Sequence, residues 1–496
     1  MKKLHRYLIA GVFLSSLFTA CKKIDDLHPY DQIVVANAFT SVKDAASWDV
    51  GFYAEFRGLQ NGEYMQATDV QTDELNATLD YGNNYGSMHR WGQYFLADDY
   101  TLADNWNNPY NAIADVNVAL AGFKNIKPAS TAETSQLNQY TGDALLARAF
   151  YYHKLILRYA KPYETSSAAT DPGVPLLTTY DSKVMPARAT VKQVYDQIIA
   201  DITQAKTLLT GVSGSQGAAT FTIDAAVALE ARVRLCMHDW DGAYNAANSL
   251  ISAGSYPLIN NLTNFQAYWT NDTKQESILQ LYVSTTQPPN ANNIYINYNA
   301  SNKDNDPLFI PTQKMLNLYT DGDIRKKTYF INTSATISAV KYNLYLVNKY
   351  PGNPVLFTTN VSNYQNAPKV FRIAEMYCIA AEAAANNSNA AGALTALNAL
   401  RQARGTAAVT GLSGTALIQA VQDERTREFA FEGFHLDDLK RWHQGFTGRT
   451  PQNANAIQSG AAYDGLSIPA DNAKFVWGIP TNDVTVNPNI KQNPGW

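Results

Sequence analysis

This 496-residue chain has three cysteines, seven histidines and charged residues at only 17%. Each scarcity removes a class of protein. Three cysteines do not build a disulfide framework or a multi-cysteine metal site. Two of the histidines, His5 and His28, lie near the N-terminus, and His435 and His443 have no carboxylate at metal-ligand spacing. Asp304-Asn305-Asp306 resembles a piece of a calcium loop but lacks the following Gly and the distal Glu. No metal and no cofactor are therefore expected. There is no Gly-x-Ser-x-Gly elbow, no phosphate loop ending in Gly-Lys and no His-Glu-x-x-His. A formal net charge of −4 without any Lys/Arg block argues against nucleic acid, whose phosphates demand basic stripes. The one long apolar run, Tyr7 to Ala20, spans only about 21 Å as a helix, short of a bilayer core of ~30 Å.

That run sits between Lys2, Lys3 and Arg6 and the stretch Leu17-Phe18-Thr19-Ala20-Cys21. A basic head, a short greasy middle and a small residue before the cut form an export signal, residues 1–20. Cys21 then reads as a lipid attachment point, as in bacterial lipoproteins, although Phe18 stands three before the Cys where Leu is usual. Residues 21–40 read as a lipid-anchored linker and 41–496 as one large domain. Cys236 and Cys378 lie in apolar helical patterns and read as buried free thiols; nothing in the sequence pairs them.

Helical periodicity dominates the domain, in separated pieces. Ser41 to Gln60 reads as a capped helix with Trp48, Phe52 and Phe56 four apart. Asn105 to Phe123, Leu137 to Tyr159 and Thr190 to Leu209 follow. Two tighter pairs come next: 224–238 with 241–253, and 372–386 with 390–404. In each, a small residue on the first helix precedes one on the second by twelve (Ala231 and Ala243; Ala381 and Ala393). That spacing suits the tetratricopeptide unit of ~34 residues, and Ala-rich helices of a generic α-hairpin meet it as readily. The earlier helices fit the same scheme as 41–60/105–123 and 137–159/190–209. The expected fold is mainly α: four degenerate tetratricopeptide-like pairs in a right-handed superhelix. Loop-rich inserts at 61–104, 161–189 and 255–369 carry a few short strands, such as Ser277 to Val283. Helices and a turn-rich tail occupy 415–496. The cluster Asp423-Glu424-Arg425-Thr426-Arg427-Glu428, interleaved with Phe429, Phe431 and Phe434, reads as a salt-bridged buttress closing the array.

Several ordered segments resemble the SusD/RagB family of outer-membrane nutrient-binding lipoproteins. They are Lys369 to Ala383, Ala396 to Arg401, Asp423 to Gly433 with Asp438-Leu-Lys-Arg-Trp442, and the tail from Ile479-Pro480 to Gln492-Asn493-Pro494-Gly495. Leu145 to Tyr159 and Ala225 to Ala247 also fit. The resemblance implies a surface-exposed, non-catalytic binder of oligosaccharides or similar nutrients. It would be held at the outer membrane by its N-terminal lipid and would cap a SusC-like TonB-dependent transporter. Asp25-Asp26 resembles the surface-export signals of such lipoproteins.

Sugars dock on flat aromatic faces, with Asn, Asp or Arg orienting their hydroxyls. The first insert offers Asp73, Tyr81, Asn83, Asn84, Tyr85, Arg90 and Trp91, and the middle insert Asn293, Tyr295 and Tyr298. Tyr81 to Trp91 lies where the family often places an aromatic platform, with Trp91 the strongest candidate. Two other classes stay open. A secreted α-helical glycan-degrading enzyme would need two carboxylates ~5–10 Å apart across a groove. A tetratricopeptide interaction scaffold would bind peptides on its concave face.

Overall fold

The computed structural model describes residues 38–496; the export signal and Cys21 lie outside the described residues. Nine helices of fourteen residues or more run through them. They are α1 (Val42–Gly58), α2 (Tyr100–Phe123), α3 (Thr131–Tyr159), α4 (Val191–Leu208), α5 (Ile223–Cys236), α6 (Trp240–Ala253), α7 (Ile373–Asn386), α8 (Ala390–Ala403) and α9 (Gly414–Phe429). Each packs on the next in sequence, so the helices form one continuous array.

Local chemistry fixes the ends. Ser41 Oγ accepts from Asp44 N at 3.3 Å and Asp44 Oδ2 accepts from Ser41 N at 2.9 Å, a reciprocal cap. Thr190 and Gln193 repeat the arrangement at α4. Two helices begin earlier than the apolar stripes suggest. α2 starts at Tyr100, capped by Asp99, and α3 at Thr131, capped by Ser130. Their first turns are polar and solvated, so no stripe marks them. Ala231, Ala243, Ala381 and Ala393 are all fully buried where α5 meets α6 and α7 meets α8. Small side chains there let the helix backbones approach closely.

The strands are short and lie in the inserts. Ser277–Gln280 pairs antiparallel with Lys369–Arg372, which leads directly into α7. The middle insert therefore leaves and re-enters the array through a two-stranded neck, while α6 and α7 pack on each other across the gap. Beyond the neck, a four-stranded sheet is built around the hairpin Phe330–Ile337/Val340–Val347. Its tight turn uses Ser338 and Ala339, both at positive φ, as a two-residue hairpin loop requires.

The acidic and basic run on α9 is a buried ion network, broader than the helix-local buttress expected. Only Arg427 to Glu424 is a pair within the helix. Glu428, wholly buried, faces three guanidinium groups: Arg404 at 2.9 Å, Arg372 at 2.9 Å and Arg325 at 3.1 Å. Arg325 also meets Asp323 and Glu424, Arg404 meets Glu276, and Arg372 shares Glu432 with Lys349. α9 is thereby locked to the neck and to the middle insert. Burial alone would raise the Glu428 carboxyl, but Arg404 and Arg372 hold it well below the usual range. Cys236 and Cys378 are buried free thiols.

Candidate functional site

Within the first insert, Asp80 to Gly86 forms a tight loop with Gly82, Asn83 and Tyr85 at φ of +60°, +59° and +49°. Gly and Asn enter that region at little cost, which is why the loop is written Gly-Asn-Asn. Asn84 Nδ2 donates back to the Tyr81 carbonyl at 2.8 Å. Arg90 Nη1 clasps the loop, donating to the Tyr81 hydroxyl at 2.6 Å and to Asn83 Oδ1 at 2.8 Å. The hydroxyls of Tyr81 and Tyr463 lie 3.0 Å apart. Gly86 makes the clasp possible, since a Cβ there would stand 2.0 Å from Asn83 Oδ1 and 2.7 Å from Arg90 Nη1. Burial, with the hydrogen bond to Tyr463, pushes the Tyr81 phenol up to about 12.

Three distant segments meet around this loop. Leu75–Ala77 pairs antiparallel with Phe309–Pro311 of the middle insert, and Thr78 bridges to Ile457 in the C-terminal tail. Asp80 accepts a hydrogen bond from the Ser338 backbone in the hairpin turn. Ile310, Ile337, Leu344, Ala456 and Ile457 share one apolar cluster beneath. The loop is thus set on a rigid floor and carries exposed amides at Asn83 and Asn84.

The structure redistributes the residues proposed from sequence. Trp91 is only 6% exposed: its edge meets Phe475 at 4.9 Å and its Nε1 donates to the Gln71 carbonyl at 2.7 Å. It is a core anchor and offers no platform. Tyr81 has its ring packed on Phe309 and presents only a hydroxyl already in the clasp. Tyr295 is buried with its hydroxyl on Asp69 Oδ2 at 2.7 Å. Asp73 is buried between Lys314 Nζ at 2.6 Å and His435 Nε2 at 3.0 Å. Burial alone would lower the His435 imidazole, yet Asp73 and Glu74 bring it up to about 9. Four proposed contacts are therefore structural, because each found an internal partner. Tyr85 is half-buried, its hydroxyl 3.4 Å from Gln66 Oε1. Asn83, Asn84, Asn293 and Tyr298 are exposed, Arg90 is half-buried, and Tyr298 sits on the short hairpin Tyr298–Asn299/Asp304–Asn305.

Sequence reading missed the exposed apolar residues just past Trp91. Tyr94 is 72% exposed, Tyr100 62% and Leu96 51%. Ser87 Oγ donates to Asp99, the α2 cap, and ties this stretch to the Tyr81 loop. The available signal was that Asp98-Asp99 begins a helix, leaving Tyr94 and Tyr100 on the approach to a solvated end. Together the insert surface offers phenol faces (Tyr94, Tyr100), amides (Asn83, Asn84) and a guanidinium (Arg90). Such a set stacks and hydrogen-bonds. Among the described residues no three His, Cys, Asp or Glu side chains gather closely enough for a metal ion, and no helix is long and apolar enough to cross a membrane.

A helical array carrying a loop-built, aromatic and amide-rich surface defines a class of binding proteins, and the comparisons identify it. The SusD family model matches residues 260–496, and a model described as starch-binding, associating with outer membrane, matches residues 39–235. The chain belongs to the SusD/RagB family. A SusD-like protein, P38, from Formosa agariphila is 24% identical over 288 residues, 55% of this chain and 50% of that one. The chain thus spans about half the length of this curated relative. A SusD superfamily protein from Bacteroides thetaiotaomicron superposes with a TM-score of 0.77 at 23% identity, over 92% of this chain and 100% of that one. A laminarin-binding SusD-like protein gives 0.69 at 19% identity, over 92% and 100%. These likenesses establish a shared fold.

Proposed function

We propose that this protein is a non-catalytic, surface-exposed binder of oligosaccharide, tethered through Cys21 and delivering its ligand to a SusC-like TonB-dependent transporter. The observation that carries this reading is the pair of exposed phenols, Tyr94 and Tyr100, on the insert that also bears Asn83, Asn84 and Arg90. Large exposed aromatics are costly to leave in water, and a pyranose C–H face covers them while amides and a guanidinium order its hydroxyls. The laminarin-binding relative supports a glucan as the first ligand class to test. The helix pairs, closely packed through Ala231/Ala243 and Ala381/Ala393, are read as a right-handed tetratricopeptide-type scaffold, with one domain from 41 to 496. Tyr298 and Asn293 extend the binding surface from the middle insert.

The test is isothermal titration of the purified protein with laminarin-derived and other plant or algal oligosaccharides. Tyr94→Ala with Tyr100→Ala should weaken binding at least tenfold with an unchanged melting temperature. Full affinity in the double variant would move the site off this insert. Cys21→Ala should release the protein from outer-membrane fractions, and transporter co-purification should fall with it.

A further inference from the structure

A cavity of about 120 Å³, open on one side, lies apart from that surface, lined by α3, α5, residues 60–65 and 367–370, Trp269, Tyr350, Arg425 on α9 and residues 432–441. It shares no residue with the Tyr81–Tyr463 clasp or with Tyr94 and Tyr100. Its wall carries polar nitrogens without partners. The donors Arg158 Nη1, Arg425 Nη1 and Trp269 Nε1, and the ring nitrogen His153 Nε2, are all buried and find no hydrogen-bond partner among the described residues. Each of these four residues is more than nine-tenths buried. Among the lining residues, the fully buried side-chain atoms without a partner are all nitrogens.

The charges tell the same story. Lys154 lines the cavity, and its ammonium reaches only the Leu59 carbonyl, at 3.3 Å; no carboxylate among the described residues pairs with it. The carboxylates on the wall are already engaged. Asp437 takes Arg158, Asp438 takes Arg425 and Arg441, and Glu432 takes Lys349 and Arg372. An unpaired buried donor loses its hydration without return, and several in one place call for a shared acceptor. Orphaned donors concentrated on one wall call for an occupant rich in acceptor oxygens. An oxyanion only accepts. The volume is close to that of the ~150 Å³ engineered cavity that admits benzene, enough for a sulfate, a phosphate or a short carboxylate.

We propose that this cavity binds a small oxyanion held by Lys154, Arg158, Arg425 and Trp269. The same chemistry is met by a free inorganic anion or by the acidic group of a sugar, so the experiment carries both. The purified protein is titrated calorimetrically with sodium sulfate and, separately, with glucuronate, against sodium chloride at matched ionic strength. Saturable binding of one to one stoichiometry is expected for sulfate or for glucuronate, and which of them binds identifies the source. Lys154→Met keeps the aliphatic stem and removes the charge; it should weaken that binding at least tenfold while leaving titration with neutral glucan unchanged. The Tyr94/Tyr100 double variant should show the reverse pattern. Soaking crystals of the unmutated protein with selenate gives an independent reading, with an anomalous peak expected between Lys154 and Arg158. Binding no stronger than chloride, equal binding in Lys154→Met, or a cavity without a selenate peak would each overturn the proposal.

Discussion

Replacing Glu428 by alanine is the sharpest test of how the inserts are held. Its carboxylate is wholly buried and receives Arg325, Arg372 and Arg404, which arrive from the middle insert, the neck and the end of α8. The surrounding network sets those three together with Lys349, Arg401 and Arg427 against Asp323, Glu276, Glu424, Glu428 and Glu432. Cations already outnumber carboxylates by one, and the substitution raises that excess to two. Removing one partner from a buried ion pair costs about 3–5 kcal/mol, because the other charge stays desolvated. Unfolding entropy of about 2.1 cal/mol/K per residue, over roughly 460 residues, makes one degree of melting temperature worth about 1 kcal/mol. Glu428→Ala should therefore lower the melting temperature by about 3–5 °C in differential scanning calorimetry. Limited proteolysis should then cut first within 281–368, the part that loses its anchor. A shift below about 1 °C would refute the reasoning, and a rise in Glu428→Leu would show that desolvation outweighs the pairing.

Three further outcomes follow from other sites. Trp91→Ala should destabilise by about 3–5 kcal/mol in chemical denaturation through its cavity and the lost bond to Gln71, while the folded fraction keeps glycan affinity; unchanged stability would return Trp91 to the surface. His435, raised to about 9 in the fold, contributes stability that is complete below pH 6.5 and is lost as pH climbs through 9. Melting temperatures from pH 6 to 10 should fall more steeply in the parent protein than in His435→Gln, and parallel curves would dismiss the ion pair with Asp73. Asp49, buried beside Asp143, is raised by desolvation to about 7, so the fold holds a proton there that the unfolded chain has shed. Its contribution is thus a loss of stability as pH rises from about 4 to 7; Asp49→Asn should flatten that slope, and an unaltered slope would place the titration elsewhere.

Much of the scaffold was legible because its signals are local. Ser41 and Thr190 announce helix starts by their side chains, and the Ala231/Ala243 and Ala381/Ala393 spacings mark close helix contacts. The first turns of α2 and α3 escaped notice because a solvated, capped turn has no apolar stripe to betray it. The ligand surface was harder for a different reason. An indole or phenol reads identically in sequence whether it faces solvent or core, and only the meeting of distant segments decides. Trp91 lost its exposure to Phe446 and Phe475, hundreds of residues downstream, and Asp73 lost its freedom to Lys314 and His435. Glu428 shows the same limit: its neighbours on α9 suggested helix-local pairs, while its real partners come from Arg325, Arg372 and Arg404.

The two-stranded neck has a consequence for how such proteins diversify. Because α6 and α7 close directly on each other, the span between Gln280 and Lys369 leaves and rejoins the helices at one point, while Phe309–Pro311, Lys314 and the Ser338 turn tie it to the first insert. A recombination event could trade that span for a relative's and leave every helix in register, provided Arg325 and Lys349 travelled with it to meet α9 and Glu432, and the new span still met Leu75–Ala77, Asp73 and Asp80. Diet and architecture would then evolve at separate tempos on a single polypeptide.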